Sequence, residues 1–175
     1  RARGVLLIRD TEKTMHKSVF VLVIVALGGC GENDKGDFAR KARESGQYEV
    51  TSSELAQEKS KRDDVKSFAA QMIADHTAAG KKLEQISAEA GVTPAEKGVG
   101  QKNEYTNDLE ELQKAADFDA EYIDQQVTAH EDAVNLFESY GKDGDDAQLK
   151  AFAAETLPTL KRHLEHVKKL KDASG

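Results

Sequence analysis

Residues 63–90, DDVKSFAAQMIADHTAAGKKLEQISAEA, decide the fold. Within them, apolar side chains and one histidine recur at alternating steps of four and three residues: Val65, Ala69, Met72, His76, Ala79, Leu83, Ile86 and Ala90. This spacing places them on one face of an α-helix, which turns once every ~3.6 residues. Asp63 and Asp64 suit the start of that helix, and Gly91 suits its end. The stretch therefore predicts a long amphipathic helix with one face in a core.

The same periodicity extends to both sides of this stretch. Upstream, residues 37–60 predict a helix whose buried stripe is Phe38, Ala42, Glu49 and Ala56. Downstream, residues 91–100 predict a loop because they are rich in glycine and contain a proline. A short helix follows, with an apolar stripe of Tyr105, Leu109 and Leu112.

Two longer helices complete the chain. The first is capped by Asp117, and its stripe is Phe118, Ile123, Val127, His130, Val134 and Phe137. A turn is predicted at residues 141–144, and the last helix starts near Asp145. The stripe of the last helix is Leu149, Phe152, Thr156, Leu160, His163, Val167 and Leu170. Pro158 lies inside this helix and predicts a kink or a local loss of hydrogen bonding.

The composition agrees with a helical fold. The chain has 175 residues, of which 33% are charged, and it contains only 2 prolines. Its length suits one domain. Four long amphipathic helices with mostly short connections predict an all-α, up-down-up-down four-helix bundle over residues 38–172, with one short extra helix.

Charge and cysteine content exclude several classes of function. The net charge of −7 argues against nucleic-acid binding, because neutralising phosphates needs clustered Lys and Arg. A single cysteine excludes an internal disulfide framework and any cysteine-rich zinc or iron–sulfur module.

The N-terminal part of the chain predicts export rather than folded structure. Residues 15–29 contain a basic start at Met15-His16-Lys17, an apolar run and two glycines, which is the pattern of a secretory signal peptide. The apolar run is too short to span a bilayer, which needs about 20 apolar residues. Residues 1–14 carry no secretory pattern and are interpreted as an upstream extension.

The single cysteine, Cys30, directly follows this signal. The sequence Leu27-Gly28-Gly29-Cys30 resembles the lipobox of bacterial lipoproteins, in which the cysteine is acylated and becomes the mature N-terminus. Gly31 rather than aspartate follows the cysteine, and by that resemblance outer-membrane anchoring on the periplasmic side is implied. Residues 30–37 would then be the anchor and a polar tether. The alternative is a plain signal peptide with an incidental cysteine.

Several motifs in the helical part match one known family. They are Glu49-Val50 ahead of Leu55-Ala56, Asp75-His76 after Met72, Phe118-Asp119 followed by Tyr122, Ala129-His130-Glu131, and Leu157-Pro158-Thr159-Leu160 followed by His163. Together they resemble the bacterial domain-of-unknown-function family 4142, over most of residues 38–170. The resemblance implies a ferritin-like helical bundle and an exported or outer-membrane location, and it implies no particular activity.

Polar side chains on the apolar stripes are the main chemical clue. Glu49, His76, His130 and His163 each occupy a position where an apolar residue is expected. Counting along an up-down-up-down bundle at ~1.5 Å per residue places Glu49, His76 and His130 at one level, to within roughly 3 Å. The same count places His163 roughly 9–11 Å deeper. There it would form a second polar group with Asp119 and Tyr122.

Two interpretations of the Glu49, His76 and His130 group stay open. A carboxylate and two imidazoles from three helices suit a divalent metal such as zinc, iron or manganese. Alternatively, the three side chains only satisfy one another's hydrogen bonds inside the bundle. A bound metal is therefore one possibility rather than an implied cofactor.

Other catalytic chemistry is poorly supported by the sequence. Carboxylate-bridged di-iron bundles use paired Glu-x-x-His motifs, and the chain contains none. Neither a Gly-x-Ser-x-Gly turn nor a phosphate-binding glycine loop occurs. The leading hypothesis is a non-enzymatic, lipid-anchored envelope protein with a binding or structural role and an unidentified protein partner. The competing hypothesis is a metal-binding bundle with a redox or stress-protective role.

Overall fold

The described part of the chain is built from five helices. A computed structural model describes residues 34–92 and 105–174. The helices are α1 (Lys35–Lys59), α2 (Asp63–Glu89), α3 (Thr106–Lys114), α4 (Phe118–Asp143) and α5 (Ala147–Asp172). These helices confirm the all-α fold with one short extra helix. The signal at residues 15–29 and the anchor at Cys30 lie outside the described residues.

Aspartates begin three of the four long helices. Asp34 accepts hydrogen bonds from backbone N–H groups in the first turn of α1. Asp117 does the same for α4, and the sequence predicted this second cap. The cap of α5 is Asp146, one residue later than the predicted start. None of the described helices has the length and apolar character needed to cross a bilayer.

The predicted turn at residues 141–144 is wrong in its position. Helix α4 continues through Gly141 to Asp143, and its C-cap is Gly144. A Cβ on Gly141 would lie 3.4 Å from the backbone nitrogen of Ala154 on α5. The glycine therefore lets the two helices approach closely while α4 stays helical.

The predicted proline effect on α5 is limited. The helix runs from Ala147 to Asp172 with Pro158 inside it. Proline removes one hydrogen bond to the carbonyl of residue 154. Because Ala154 and Pro158 are both exposed, water can satisfy that carbonyl.

The direction of the helices differs from the predicted up-down-up-down order. Phe38, at the start of α1, stacks on Tyr140, near the end of α4, with 4.0 Å between ring centroids. At the opposite end, Ser53 of α1 hydrogen-bonds to Tyr122 near the start of α4, at 2.8 Å. Helices α1 and α4 are therefore antiparallel, and the order is up-down-down-up.

The long connection between α2 and α4 makes this order possible. Lys35, at the start of α1, donates a hydrogen bond to the carbonyl of Ala90 after α2. Leu112 of α3 is packed at the other end of the bundle, with Ala56 and Tyr122. Ala90 and Leu112 thus lie at opposite ends of the bundle, a separation that a short turn could not span.

Two apolar clusters fill the ends of the bundle. One contains Phe38, Leu83, Phe137, Tyr140, Leu149, Phe152 and Leu160 among its buried members. The other contains Ala56, Val65, Phe68, Met72, Leu112, Tyr122, Ile123, Val167 and Leu170. A buried polar layer lies between the two clusters, and it holds the candidate site.

Candidate metal centre

Four ionisable side chains converge in this layer, one from each long helix. Glu49 lies on α1, His76 on α2, His130 on α4 and His163 on α5. Their exposed fractions are 1%, 8%, 0% and 1%, respectively. Burial of so many ionisable groups is costly unless each is hydrogen-bonded, paired or bound to a metal.

The structure brings Glu49, His76 and His130 together. Glu49 Oε2 lies 2.6 Å from His76 Nδ1, and Glu49 Oε1 lies 3.7 Å from His130 Nδ1. The three side chains therefore share one level, as the spacing predicts.

The predicted position of His163 is wrong. Its ring centroid lies 5.5 Å from the centroids of both His76 and His130, so it belongs to the same layer. The error follows from the assumed helix order. In the observed order, Glu49 lies 10 residues before the end of α1 and His76 lies 13 residues after the start of α2. His130 lies 12 residues after the start of α4, and His163 lies 9 residues before the end of α5.

The predicted second group of His163 with Asp119 and Tyr122 is not formed. The hydroxyl of Tyr122 bonds to Ser53, and a carboxylate oxygen of Asp119 accepts from the backbone N–H of Lys61 at 3.4 Å. Both contacts lie at the end of the bundle where α1 meets α2. Asp119 and Tyr122 therefore help to close that end of the bundle and lie apart from the histidine layer.

Each of the three imidazoles has one nitrogen held by an oxygen atom. His76 Nδ1 faces the carboxylate of Glu49, and His130 Nδ1 lies 2.9 Å from the carbonyl oxygen of Gln126. His163 Nε2 lies 2.9 Å from the carboxylate of Asp75. Each oxygen is an acceptor, so these nitrogens carry the protons. Such contacts fix the tautomer and the orientation of each ring.

The second nitrogen of each ring is left without a partner. His76 Nε2, His130 Nε2 and His163 Nδ1 are buried and have no hydrogen-bond partner in residues 34–92 and 105–174. Each of the three histidines offers a ligand atom, and these atoms lie within 4.8 Å of one another. A cluster that served only to satisfy hydrogen bonds would leave no such nitrogens, because each unpaired polar atom destabilises the fold. The arrangement instead suits three imidazole ligands around one ion.

The three rings are almost evenly spaced. Their centroids are separated by 5.7 Å, 5.5 Å and 5.5 Å. Three separate helices hold them, so the spacing is set by packing of the bundle rather than by one flexible loop.

Local electrostatics shift the pKa values of the three histidines in different directions. Burial disfavours the charged form of His76, but the adjacent Glu49 carboxylate outweighs it and raises the pKa of His76 above its ordinary value. Burial lowers the pKa of His130, and it lowers that of His163 to about 4 despite the bond to Asp75. His130 and His163 are therefore neutral near pH 7, with lone pairs available to a metal.

Glu49 remains ionised in this buried layer. Burial raises the pKa of its carboxyl group, but His76 and His130 outweigh this and bring the pKa below its ordinary value. Glu49 Oε1 has no hydrogen-bond partner among the described residues. The predicted ligand set of Glu49, His76 and His130 thus differs from the set that the geometry favours. In the structure, Glu49 orients His76, and His163 provides the third nitrogen.

The sequence analysis missed two oxygen acceptors of the site. Asp75 directly precedes His76 but points to a different histidine, on α5. The second is a backbone carbonyl, that of Gln126, which no residue pattern reveals. The position of Asp75 beside His76 was visible in the sequence, but its partner depends on the helix order.

Fold and site together define a class of protein: a four-helix bundle of up-down-down-up order with a buried three-histidine centre. The chain belongs to the family described as domain of unknown function (DUF4142), which matches residues 29–170. No curated protein matches the chain in sequence.

Solved structures of the protein CopM are similar in fold. The Cu(I)-bound form superposes with a TM-score of 0.67 at 17% identity, covering 79% of this chain and 95% of that chain. The Cu(II)-bound form gives a TM-score of 0.66 at 16% identity, covering 80% and 98% of the two chains. A silver-bound form of CopM gives 0.65 at 16% identity, with 79% and 95% covered. At this identity the likeness confirms the bundle fold.

Proposed function

We propose that the protein binds a copper ion through His76, His130 and His163. The observation that carries this proposal is the same at each of the three rings. One ring nitrogen contacts an oxygen atom of the protein, and the other ring nitrogen is buried and unpaired. Imidazole nitrogens suit copper and zinc better than manganese, which prefers oxygen ligands. Iron remains compatible with imidazole but commonly takes a carboxylate as well.

The charge of the layer favours a monovalent ion. Glu49 provides one buried negative charge, whereas the carboxylate of Asp75 is 41% exposed and is screened by water. Copper(I) bound at His76 Nε2 would replace the proton that an imidazolium carries there, so Glu49 would neutralise the ion and the interior would gain no net charge. A divalent ion would leave one uncompensated positive charge, which is costly in a buried site.

The comparison structures support the same choice of metal. CopM, which shares the fold, was solved with Cu(I), with Cu(II) and with silver. Silver is a monovalent ion of the same group as copper, so its binding by a similar fold agrees with the charge argument. Zinc is the second candidate, because three histidines and an open position also form a known zinc arrangement.

We further propose that the protein works in the bacterial cell envelope, anchored to the outer membrane through acyl chains on Cys30. The support is the signal pattern of residues 15–29 and the position of the cysteine directly after it. We infer that a copper-binding protein in that place sequesters or relays copper.

Competition for copper(I) tests the proposed function. Protein prepared without a histidine tag is titrated with copper(I) against the chelator bathocuproine disulfonate, and bound metal is counted by elemental analysis. We expect one copper per chain. His130→Ala and His163→Gln should each lose it, while His166→Ala should keep it. His166 is a matched control because it lies on α5 but packs against Phe68, outside the three-histidine cluster.

Two results would contradict the proposal. Binding that survives in both His130→Ala and His163→Gln would place the copper elsewhere. A wild-type protein that retains zinc in the presence of excess copper(I) would assign the centre to zinc.

A further inference from the structure

A cavity of about 880 Å³ lies beside the histidine centre. Glu49 and His76 contribute to its wall, whereas His130 and His163 do not line it. Its volume is in the range of about 300–1,000 Å³ that is typical of sites for small organic molecules. A metal ion and its ligands need far less space, so the metal centre does not account for the cavity.

Most of the inner wall of the cavity is apolar. Phe137 of α4, together with Phe152 and Leu160 of α5, lies on this wall, and all three side chains are buried. Such a wall would stabilise the aliphatic or aromatic body of a ligand by removing apolar surface from water.

An arginine on the wall has two donor atoms without a partner. Arg43 of α1 is half-buried, and its Nε and Nη2 atoms are buried with no hydrogen-bond partner within the described residues. A guanidinium group keeps its charge under all ordinary conditions, so these donors call for an acceptor. Its planar pair of N–H groups matches the two oxygens of a carboxylate.

Two glycines keep the cavity open. Gly46 in α1 and Gly80 in α2 line it, although glycine inside a helix is less stable than alanine. A Cβ on Gly80 would have no neighbour within 4 Å, and one on Gly46 would meet only His76 Nδ1, at 4.0 Å. Close packing therefore does not require glycine at either position, and the missing side chains leave room for a ligand.

We propose that this cavity binds a small amphiphilic organic anion. The carboxylate of the ligand pairs with the Arg43 guanidinium, which turns toward the cavity from its buried position. The apolar body of the ligand lies against Phe137, Phe152 and Leu160. This binding goes beyond the copper site and does not depend on it.

Calorimetric titration of the full chain with decanoate tests the head-group contact. Decanol, which has the same body without the charge, should bind about tenfold or more weakly, because a charged hydrogen bond is lost. Arg43→Gln should weaken decanoate binding by a similar factor. Arg40→Gln is the matched control, since Arg40 lies one turn away on α1 and pairs with Asp37 and Glu44.

Two further variants separate this cavity from the metal centre. Gly80→Leu fills open space and should abolish binding of decanoate while leaving the copper content unchanged. His130→Ala should lose copper and keep decanoate binding, because His130 does not line the cavity.

The proposal would be overturned by any of four results. These are no measurable heat with decanoate, equal binding of decanoate and decanol, equal effects of Arg43→Gln and Arg40→Gln, or unchanged binding in Gly80→Leu.

Discussion

In the proposed copper site, Glu49 governs the centre without touching the ion. Its carboxylate holds His76 Nδ1 at 2.6 Å and leaves the opposite nitrogen of that ring unpaired. It also provides the buried negative charge that a copper(I) ion needs. Orientation and charge are separable properties, because glutamine keeps the size of the side chain and its acceptor oxygen but removes the charge.

Glu49→Gln is expected to lower copper(I) affinity by about 10- to 100-fold while leaving the fold intact, as is usual for partners of metal-ligating histidines. The chelator competition measures this loss, and circular dichroism checks the helix content. Glu44→Gln is the control, because Glu44 lies on α1 but pairs with Arg40 near the surface. An affinity unchanged by Glu49→Gln would show that the buried negative charge does not contribute to copper(I) binding.

The lowered pKa of His163 predicts acid sensitivity of the metal-free protein. Unfolded His163 takes up a proton near pH 6.5, but the folded protein keeps it neutral down to about pH 4. Protons therefore favour the unfolded chain across this window, and the free energy of unfolding should fall as pH falls. The slope from this group is at most about 1.4 kcal/mol per pH unit.

The other two histidines do not cancel this effect. The pKa of His130 is also lowered, so His130 acts in the same direction. The raised pKa of His76 adds stability that is fully present below its ordinary pKa and is lost only as pH rises through its raised value. Urea unfolding at several pH values measures the slope. His163→Gln should flatten it, and a wild-type slope equal to that of His163→Gln would contradict the burial argument.

Among the helices, the sequence predicted the existence and type of all five because apolar spacing is a local property. It placed the cap Asp117 correctly and missed the end of α4, where Gly141 serves packing against α5 rather than a turn. The predicted up-down-up-down order was wrong, because the direction of each helix depends on which ends of the bundle the connection after α2 joins. Because of this error, His163 was predicted at the wrong level, and Glu49 rather than His163 was predicted as a ligand.

A matched pair of substitutions tests the burial pattern of α4 and α5. Val167 of α5 is fully buried in the apolar cluster at one end of the bundle, whereas Val134 of α4 is only partly buried. Val167→Asp should destabilise the protein by about 3 kcal/mol or more, because the carboxylate is buried without a partner. Val134→Asp should lower the free energy of unfolding by clearly less, since water reaches the side chain at this position. Urea unfolding measures the loss of stability in both variants. Equal losses would contradict the difference in burial between Val167 and Val134.

At the scale of the whole molecule, we propose that a bundle with a buried centre is joined to an anchor on Cys30. If the anchor is correct, the mature protein begins at a lipidated Cys30, and residues 1–29 are absent. Mass spectrometry of the native protein measures this, and Cys30→Ala should move the protein from the membrane fraction to the periplasmic fraction. A native protein that retains residues before Cys30 would rule the anchor out.

The bundle also explains how metal binding and folding are linked. The three ligands come from three different helices, so an ion bound to the folded chain should raise its melting temperature by mass action. Removing the ion should leave the helices in place, because the two apolar clusters at the ends of the bundle do not depend on it.

X-ray absorption spectroscopy of the copper(I)-loaded protein tests the central claim most directly, since it reports the atoms around the ion. We predict three imidazole nitrogens around the ion in wild type and in His166→Ala, and loss of this signature in His163→Gln. A sulfur ligand in the wild-type spectrum, or an unchanged spectrum in His163→Gln, would contradict it.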